Sequence, residues 1–99
     1  MIETGREFHR GELYYANLNP ICGSEQGGIR PVLILQNDRG NRYCPTLIVA
    51  PVTRQSKRMW MPTHCSLEQV DGLAAASMVM LEQIKTIDKR RVVSYIGKE

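Results

Sequence analysis

Two side chains in this sequence are candidates for chemistry. Arg30 stands directly before Pro31, and Thr53 closes the stretch Thr46-Leu47-Ile48-Val49-Ala50-Pro51-Val52-Thr53. A proline bars the residue before it from helical backbone angles. Arg30 is therefore set in extended chain at the lip of the apolar run Val32-Leu33-Ile34-Leu35. Gly27 and Gly28 lie just upstream, and a glycine pair lets the backbone bend sharply or lets a ligand come close. A guanidinium held at such a point can meet two oxygens of an anion with its planar fork. A threonine hydroxyl can add one more donated hydrogen bond. On the residues alone, the same pattern also describes a proline-opened strand with a solvated arginine at its mouth.

Charge is distributed unevenly around these two residues. The net charge is only +3, but no Asp or Glu occurs between Asp38 and Glu68, an interval that holds Arg39, Arg42, Arg54, Lys57 and Arg58. Lys85, Lys89, Arg90 and Arg91 form a second basic cluster, relieved by Asp88. Local basic surface attracts polyanions, nucleic acid first among them, although solvated loops carry the same residues. Other chemistries find no support. There is no G-x-G-x-x-G, phosphate-loop or H-E-x-x-H pattern and no Ser-His-Asp set. Cys22, Cys44 and Cys65 form no C-x-x-C pair, and His9 and His64 are scattered, so neither a metal nor another cofactor is expected. Residues 1–8 lack the apolar segment of a secretory signal, so the thiols read as reduced and the protein as cytoplasmic. No apolar run approaches the ~20 residues of a membrane span.

The elements that must position these residues read as short strands. A chain of 99 residues is enough for one small domain, and such a domain buries only roughly 60–65% of its unfolded surface, so a second copy would help to stabilise it. Residues 1–9 read as a loose leader and 10–99 as a single domain. Strands are expected over 13–18, about 32–36, 46–53, 59–65, 77–84 and 93–96, from their β-branched, aromatic and apolar residues. Asn37-Asp38-Arg39-Gly40-Asn41 reads as a turn. Pro51 cannot donate to a ladder, which predicts an edge, a bulge or a sharp bend in its strand. The apolar run at 77–84 does not alternate and predicts burial on both faces. Single helical turns are expected from Ser66, with Gln69 three residues on, and over 86–92. The fold class is mainly β, a small barrel or sandwich with single-turn helices.

Several stretches resemble the MazF/PemK family of toxin endoribonucleases. They are Arg10-Gly11-Glu12; the run from Gly23 to Asp38; Gly40-Asn41-Arg42-Tyr43 with Pro45-Thr46; Pro62-Thr63-His64; and Leu81 to Lys89. The resemblance implies an SH3-like barrel of the CcdB/MazF type, acting as a homodimer. It implies an mRNA interferase, a metal-independent hydrolase of single-stranded RNA. In that reaction the ribose 2′-hydroxyl attacks the adjacent phosphate and leaves 2′,3′-cyclic phosphate and 5′-hydroxyl ends. The family's catalytic arginine and threonine fall on Arg30 and Thr53.

By position in the family pattern, Glu25, Gln26, Asn37 and Gln83 are expected to touch bases or ribose. Arg54, Lys57 and Arg58 are expected to guide the backbone electrostatically, and Arg39, Arg42 and Ser77 complete the RNA-binding set. The expected partner is a MazE-like antitoxin. Arginine stays protonated at ordinary pH, so it stabilises charge while water or a neighbouring group such as His64 moves the proton. Two departures stand out: Ala76 occupies a position before Ser77 that is often acidic, and the sequence ends at Glu99, where many members continue into a C-terminal helix. The alternative reading is a non-catalytic protein of the same fold, either a gyrase-poison-like toxin or an RNA-binding module. A proline-peptide adaptor is disfavoured by an aromatic content of 6%, because such grooves are lined with aromatic rings.

Overall fold

The computed structural model describes residues 6–20, 23, 27–54, 64–67 and 77–99. Among these residues, strands run over Glu12–Asn17 (β1), Ile29–Ile34 (β2), Thr46–Arg54 (β3), His64–Leu67 (β4), Ser77–Met80 (β5), Lys85–Asp88 (β6) and Val92–Lys98 (β7). One short helix, Asp38–Tyr43 (α1), follows β2, and 3-10 turns span Leu81–Gln83 and Lys89–Arg91. All strand pairs are antiparallel. The order is β4-β5-β3-β2-β1-β7, with β6 also paired to β3. This is the mainly β, barrel-like architecture expected, with helix confined to short turns. The outer strands β4 and β7 are not paired to one another among the described residues, so the barrel stays open there.

β3 holds the two halves together. Its first part pairs with β6 from Thr46↔Asp88 to Val49↔Lys85, and its last part pairs with β5 from Val52↔Val79 to Arg54↔Ser77. Pro51 lies where one partner gives way to the other. On the opposite edge β3 pairs with β2 through Val32↔Pro51, Leu33↔Ala50 and Ile34↔Val49. Leu35 N donates to Ile48 O at 2.9 Å. By the alternation of an antiparallel ladder, the Pro51 nitrogen then faces away from β2, toward the handover from β6 to β5. The missing donor falls where no ladder bond is required. Pro51 therefore sits fully buried in an interior strand, and the constraint read from the sequence is met by a change of partner rather than at a sheet edge.

Both faces of the sheet are packed. Phe8, Tyr14, Ala16, Leu18, Val32, Ile34, Leu47, Val49, Ile87 and Val92 form one cluster. Leu13, Leu33, Ala50, Val52, Leu67 and Val79 form the other. Of the non-alternating stretch 77–84, residues 77–80 are buried as its composition predicts, whereas Leu81, Glu82 and Ile84 are exposed.

Other expectations are corrected. Phe8 is 5% exposed and packs on Tyr14 with ring centroids 5.0 Å apart, so the chain joins the core before residue 10 and residues 6–9 are not a loose leader. β4 continues through Ser66 and Leu67, where a helical turn was expected, because Leu67 is drawn into the second cluster. Residues 85–88 form a strand instead of opening a helical turn, because Ile87 is buried opposite Leu47. The turn starts later, where the Asp88 side chain accepts from Arg90 N at 2.8 Å. The run at 77–84 stops as strand at Met80 and turns at Leu81–Gln83.

A buried polar group ties the N-terminal segment down. Tyr14 Oη donates to Glu12 Oε1 at 2.8 Å and accepts from Arg6 Nε at 3.1 Å. Glu12 Oε1 also accepts from His9 N at 2.7 Å. Burial pushes the Tyr14 phenol up to about 12, with the Arg6 hydrogen bond acting against it and the Glu12 bond with it. The folded pKa is thus above the unfolded value of about 10. This contribution to stability is intact below pH ~10 and is lost as pH rises toward ~12, because the unfolded chain ionises first. Tyr14→Phe is expected to cost about 1–2 kcal/mol at neutral pH and to flatten the alkaline decline. Urea midpoints of both proteins between pH 8 and ~11.5 check this; parallel declines would contradict it.

Candidate active site

Arg30 and Thr53 reach one place by strand geometry. Side chains alternate along a strand, so Arg30 shares its face of β2 with Val32 and Ile34, and Thr53 shares its face of β3 with Val49. Val32, Ile34 and Val49 all belong to the first core cluster, so the two faces are the same. The β2–β3 pairing ends at Val32↔Pro51, beyond which β2 continues beside β1 and β3 beside β5. Continuing that register by two residues sets Arg30 opposite Thr53. Both residues are half-buried, and the extrapolated register sets them level with one another just past the end of the β2–β3 pairing.

The Arg30 guanidinium is held at one end. Its Nε donates to Gly27 O at 2.7 Å, and among the described residues no hydrogen bond engages its Nη groups. Gly28 has φ +77°, a conformation that strains any L side chain. The extended backbone predicted for Arg30 is observed, and β2 begins one residue before it.

The remaining candidates divide into three groups. Ser77 is buried at the start of β5, in register with Arg54 and with Leu67. It lies near Thr53, which pairs with Met78. Gln83 is half-buried in the turn after β5. The backbone of Arg54 closes β3. Asn37, Arg39 and Arg42 lie at the other end of β2, on or beside α1. That is beyond Ile34, which is itself about 13 Å from Arg30 at ~3.3 Å per strand residue. Arg39 and Arg42 line a cavity of about 520 Å³ with Glu7, Phe8, His9, Asp38 and Tyr43. The acidic side chains there balance the arginines. The Arg10 N–H, 2.8 Å from Asp38 Oδ1, holds that carboxyl below its usual range, helped by His9. Glu25, Gln26, Lys57 and Arg58 lie outside the described residues. Among the described residues no three His, Cys, Asp or Glu side chains come together as metal ligands, and no helix is long and apolar enough to cross a membrane.

Asn37 shows how turn-forming residues became a helix. Its side-chain oxygen accepts from Gly40 N at 2.8 Å, and Asn41 N donates to Asn37 O at 2.9 Å. The polar side chain read as a turn signal is a helix cap. Asn37→Ala is expected to destabilise the fold by ~1 kcal/mol, measured by urea denaturation. A cleavage loss beyond what that destabilisation explains would show RNA contact as well.

The sequence assigned no task to the Gly27 carbonyl. The available signal was a glycine pair three residues before an arginine, because only a glycine-rich turn lets a main-chain oxygen fold back so closely.

Residues 9–98 match the family of PemK-like, MazF-like toxins of type II toxin–antitoxin systems. Endoribonuclease EndoA of Bacillus subtilis strain 168 is 50% identical over 88 residues, which is 88% of this chain and 76% of that protein. The crystal structure of MazF (Form-I) from Deinococcus radiodurans superposes with a TM-score of 0.79 at 26% identity, over 94% of this chain and 82% of that one. A MazE–MazF structure (Form-II) from the same organism gives 0.70 at 26% identity, over 95% and 83%.

Proposed function

The chain belongs to the family of PemK-like, MazF-like toxins of type II toxin–antitoxin systems, and on that premise we propose that it is a metal-independent endoribonuclease using Arg30 and Thr53. Its substrate is single-stranded mRNA in the cytoplasm. Its inhibitor is a MazE-like antitoxin, the kind of partner seen with the Deinococcus toxin. The reading is supported by the strand register, which, continued by two residues, brings Arg30 level with Thr53 where the β2–β3 pairing ends.

In the reaction the ribose 2′-oxygen attacks the adjacent phosphorus while the bond from phosphorus to the 5′-oxygen breaks. The products are a 2′,3′-cyclic phosphate and a 5′-hydroxyl. Negative charge builds on the non-bridging oxygens. The two Arg30 Nη groups lie toward them, because Nε is occupied by Gly27 O. The Thr53 hydroxyl donates from the other lip. A positioned donor of this type supplies about 3–4 kcal/mol of barrier reduction. Arg30 stays charged throughout, so the 2′-proton leaves to water or a neighbouring base and the 5′-oxygen is protonated in turn. Single-stranded RNA exposes the base edges that sequence-specific recognition requires. Homodimer formation is supported by exposed Ile48, Leu81 and Ile84, which leave apolar surface beside β3 and β6.

Incubating the protein with a long RNA in excess EDTA and mapping the new ends tests this reading. Cuts at a short recurring sequence, with 5′-hydroxyl and cyclic phosphate ends, are expected. Loss of cleavage with chelator, or 5′-phosphate ends, would reject the mechanism.

A further inference from the structure

We propose that Asn19 and Arg91 are positioning residues for Arg30, acting through the single peptide unit that joins Gly27 to Gly28. The proposal rests on the reading of Arg30 as the catalytic arginine.

The Gly27 carbonyl accepts from Arg30 Nε at 2.7 Å, and the Gly28 N–H donates to Asn19 Oδ1 at 3.0 Å. These two groups are opposite ends of one planar amide. Fixing the N–H therefore fixes the direction of the carbonyl, and with it the anchor of the guanidinium. Leu18 N donates to Gly28 O at 2.9 Å, so the next peptide unit is pinned as well. Gly28 itself gives little rigidity, because glycine populates both signs of φ. The restraint has to come from outside the pair, and Asn19 supplies it.

Asn19 is in turn held from two sides. Its N–H donates to Asn17 Oδ1 at 3.0 Å. Arg91 Nη1 donates to the carbonyl of Asn19 and, at 3.4 Å, to that of Asn17. Arg91 ends the 3-10 turn before β7, and its neighbour Val92 pairs with Ala16. The strand that carries Arg30 pairs with the same Ala16. One continuous hydrogen-bonded path thus runs from Arg91 through Asn19 and the Gly27–Gly28 amide to the Arg30 guanidinium. It anchors Nε and leaves the Nη edge to face the opening. An arginine has a long, flexible side chain, and its fork is useful only when its plane is fixed. Misplacing a reacting group by ~1 Å can cost about 10²-fold in rate.

The test compares Asn19→Ala, Asn19→Asp and Arg91→Ala with the unaltered full chain in steady-state cleavage of one RNA. It also follows the Arg30 Nε–H resonance by ¹⁵N NMR, assigned by its disappearance in Arg30→Lys. Asn19→Ala is expected to lower kcat by roughly ten- to hundredfold, with KM within about twofold and the thermal midpoint retained. Asn19→Asp keeps an acceptor for Gly28 N and should recover most of the rate. The Nε–H should lose its protection from exchange in Asn19→Ala and in Arg91→Ala. Unchanged protection and kcat in Asn19→Ala would overturn the inference, and unchanged protection in Arg91→Ala alone would remove Arg91 from it. Lost protection with normal cleavage would overturn the positioning role while leaving the hydrogen bonds standing, and the cleavage rate of Arg30→Ala separately decides whether Arg30 is catalytic. If Arg91→Ala does not fold, the two Asn19 variants decide the question.

Discussion

Arg30→Ala should lower RNA cleavage by about 10²- to 10³-fold and leave the fold intact. The size of the loss follows from what the side chain is asked to do. It is the one guanidinium on its face of β2, and its two Nη groups can both meet the charge that develops on phosphorus. The fold should survive because Arg30 is only half-buried and Val32 and Ile34, further along the same face, carry the packing. Arg30→Lys should not restore the rate. A lysine nitrogen can hold the Gly27 carbonyl or meet the phosphate, but it cannot do both with a fixed plane. Thr53→Val removes a neutral donor of similar shape and should cost less than Arg30→Ala. Single-turnover rates with circular dichroism and a thermal melt on the same preparations decide the matter. Normal cleavage by Arg30→Ala would void the assignment, whereas RNA binding by the unaltered protein without new 5′-hydroxyl ends would favour the non-catalytic reading.

The second large effect is on stability. Leu33→Ala and Ile34→Ala should each cost about 2–5 kcal/mol. Neighbouring residues on a strand point to opposite faces. In a sheet with one wet face, only one of the pair would matter. Here Leu33 is 7% exposed in the second cluster and Ile34 is fully buried in the first, so both truncations open a cavity. A small domain is stable by only ~5–15 kcal/mol in total, so either change consumes a large part of that margin. Urea denaturation of the two variants gives the result. A near-neutral Leu33→Ala would mean that the second cluster packs too loosely to count.

Much of this was visible in the residues. The unbroken run Val32-Leu33-Ile34-Leu35 signalled a strand, and Pro31 signalled extended chain at Arg30. The family motifs located Arg30 and Thr53 in the sequence, but their register depends on which strands pair, and that is set by long-range contacts. Three local readings failed for one physical reason. Phe8, Leu67 and Ile87 each lie in segments read as leader or helical turn, and each was recruited to a core whose demand outweighed local preference. Asn37 and Asp38 were legible as polar punctuation. Whether such residues close a turn or cap a helix is decided by the next few residues of the chain. Here the buried Asn41, whose Nδ2 donates to Gln36 O, carried the chain into α1. The role of the Gly27 carbonyl was signalled only indirectly, by the glycine pair before Arg30, because a main-chain oxygen has no letter in the sequence.

The change of partner along β3 has a consequence for how the molecule opens. One strand lends its two ends to different neighbours while its other edge is shared with β2. Neither half can detach without disturbing the same backbone. Amide protons on β3 should therefore exchange with solvent slowly and together, through complete unfolding rather than partial fraying. A protein that releases Thr53 only when the whole domain melts has little room for a half-active state. Its control then has to come from something that occupies the opening from outside.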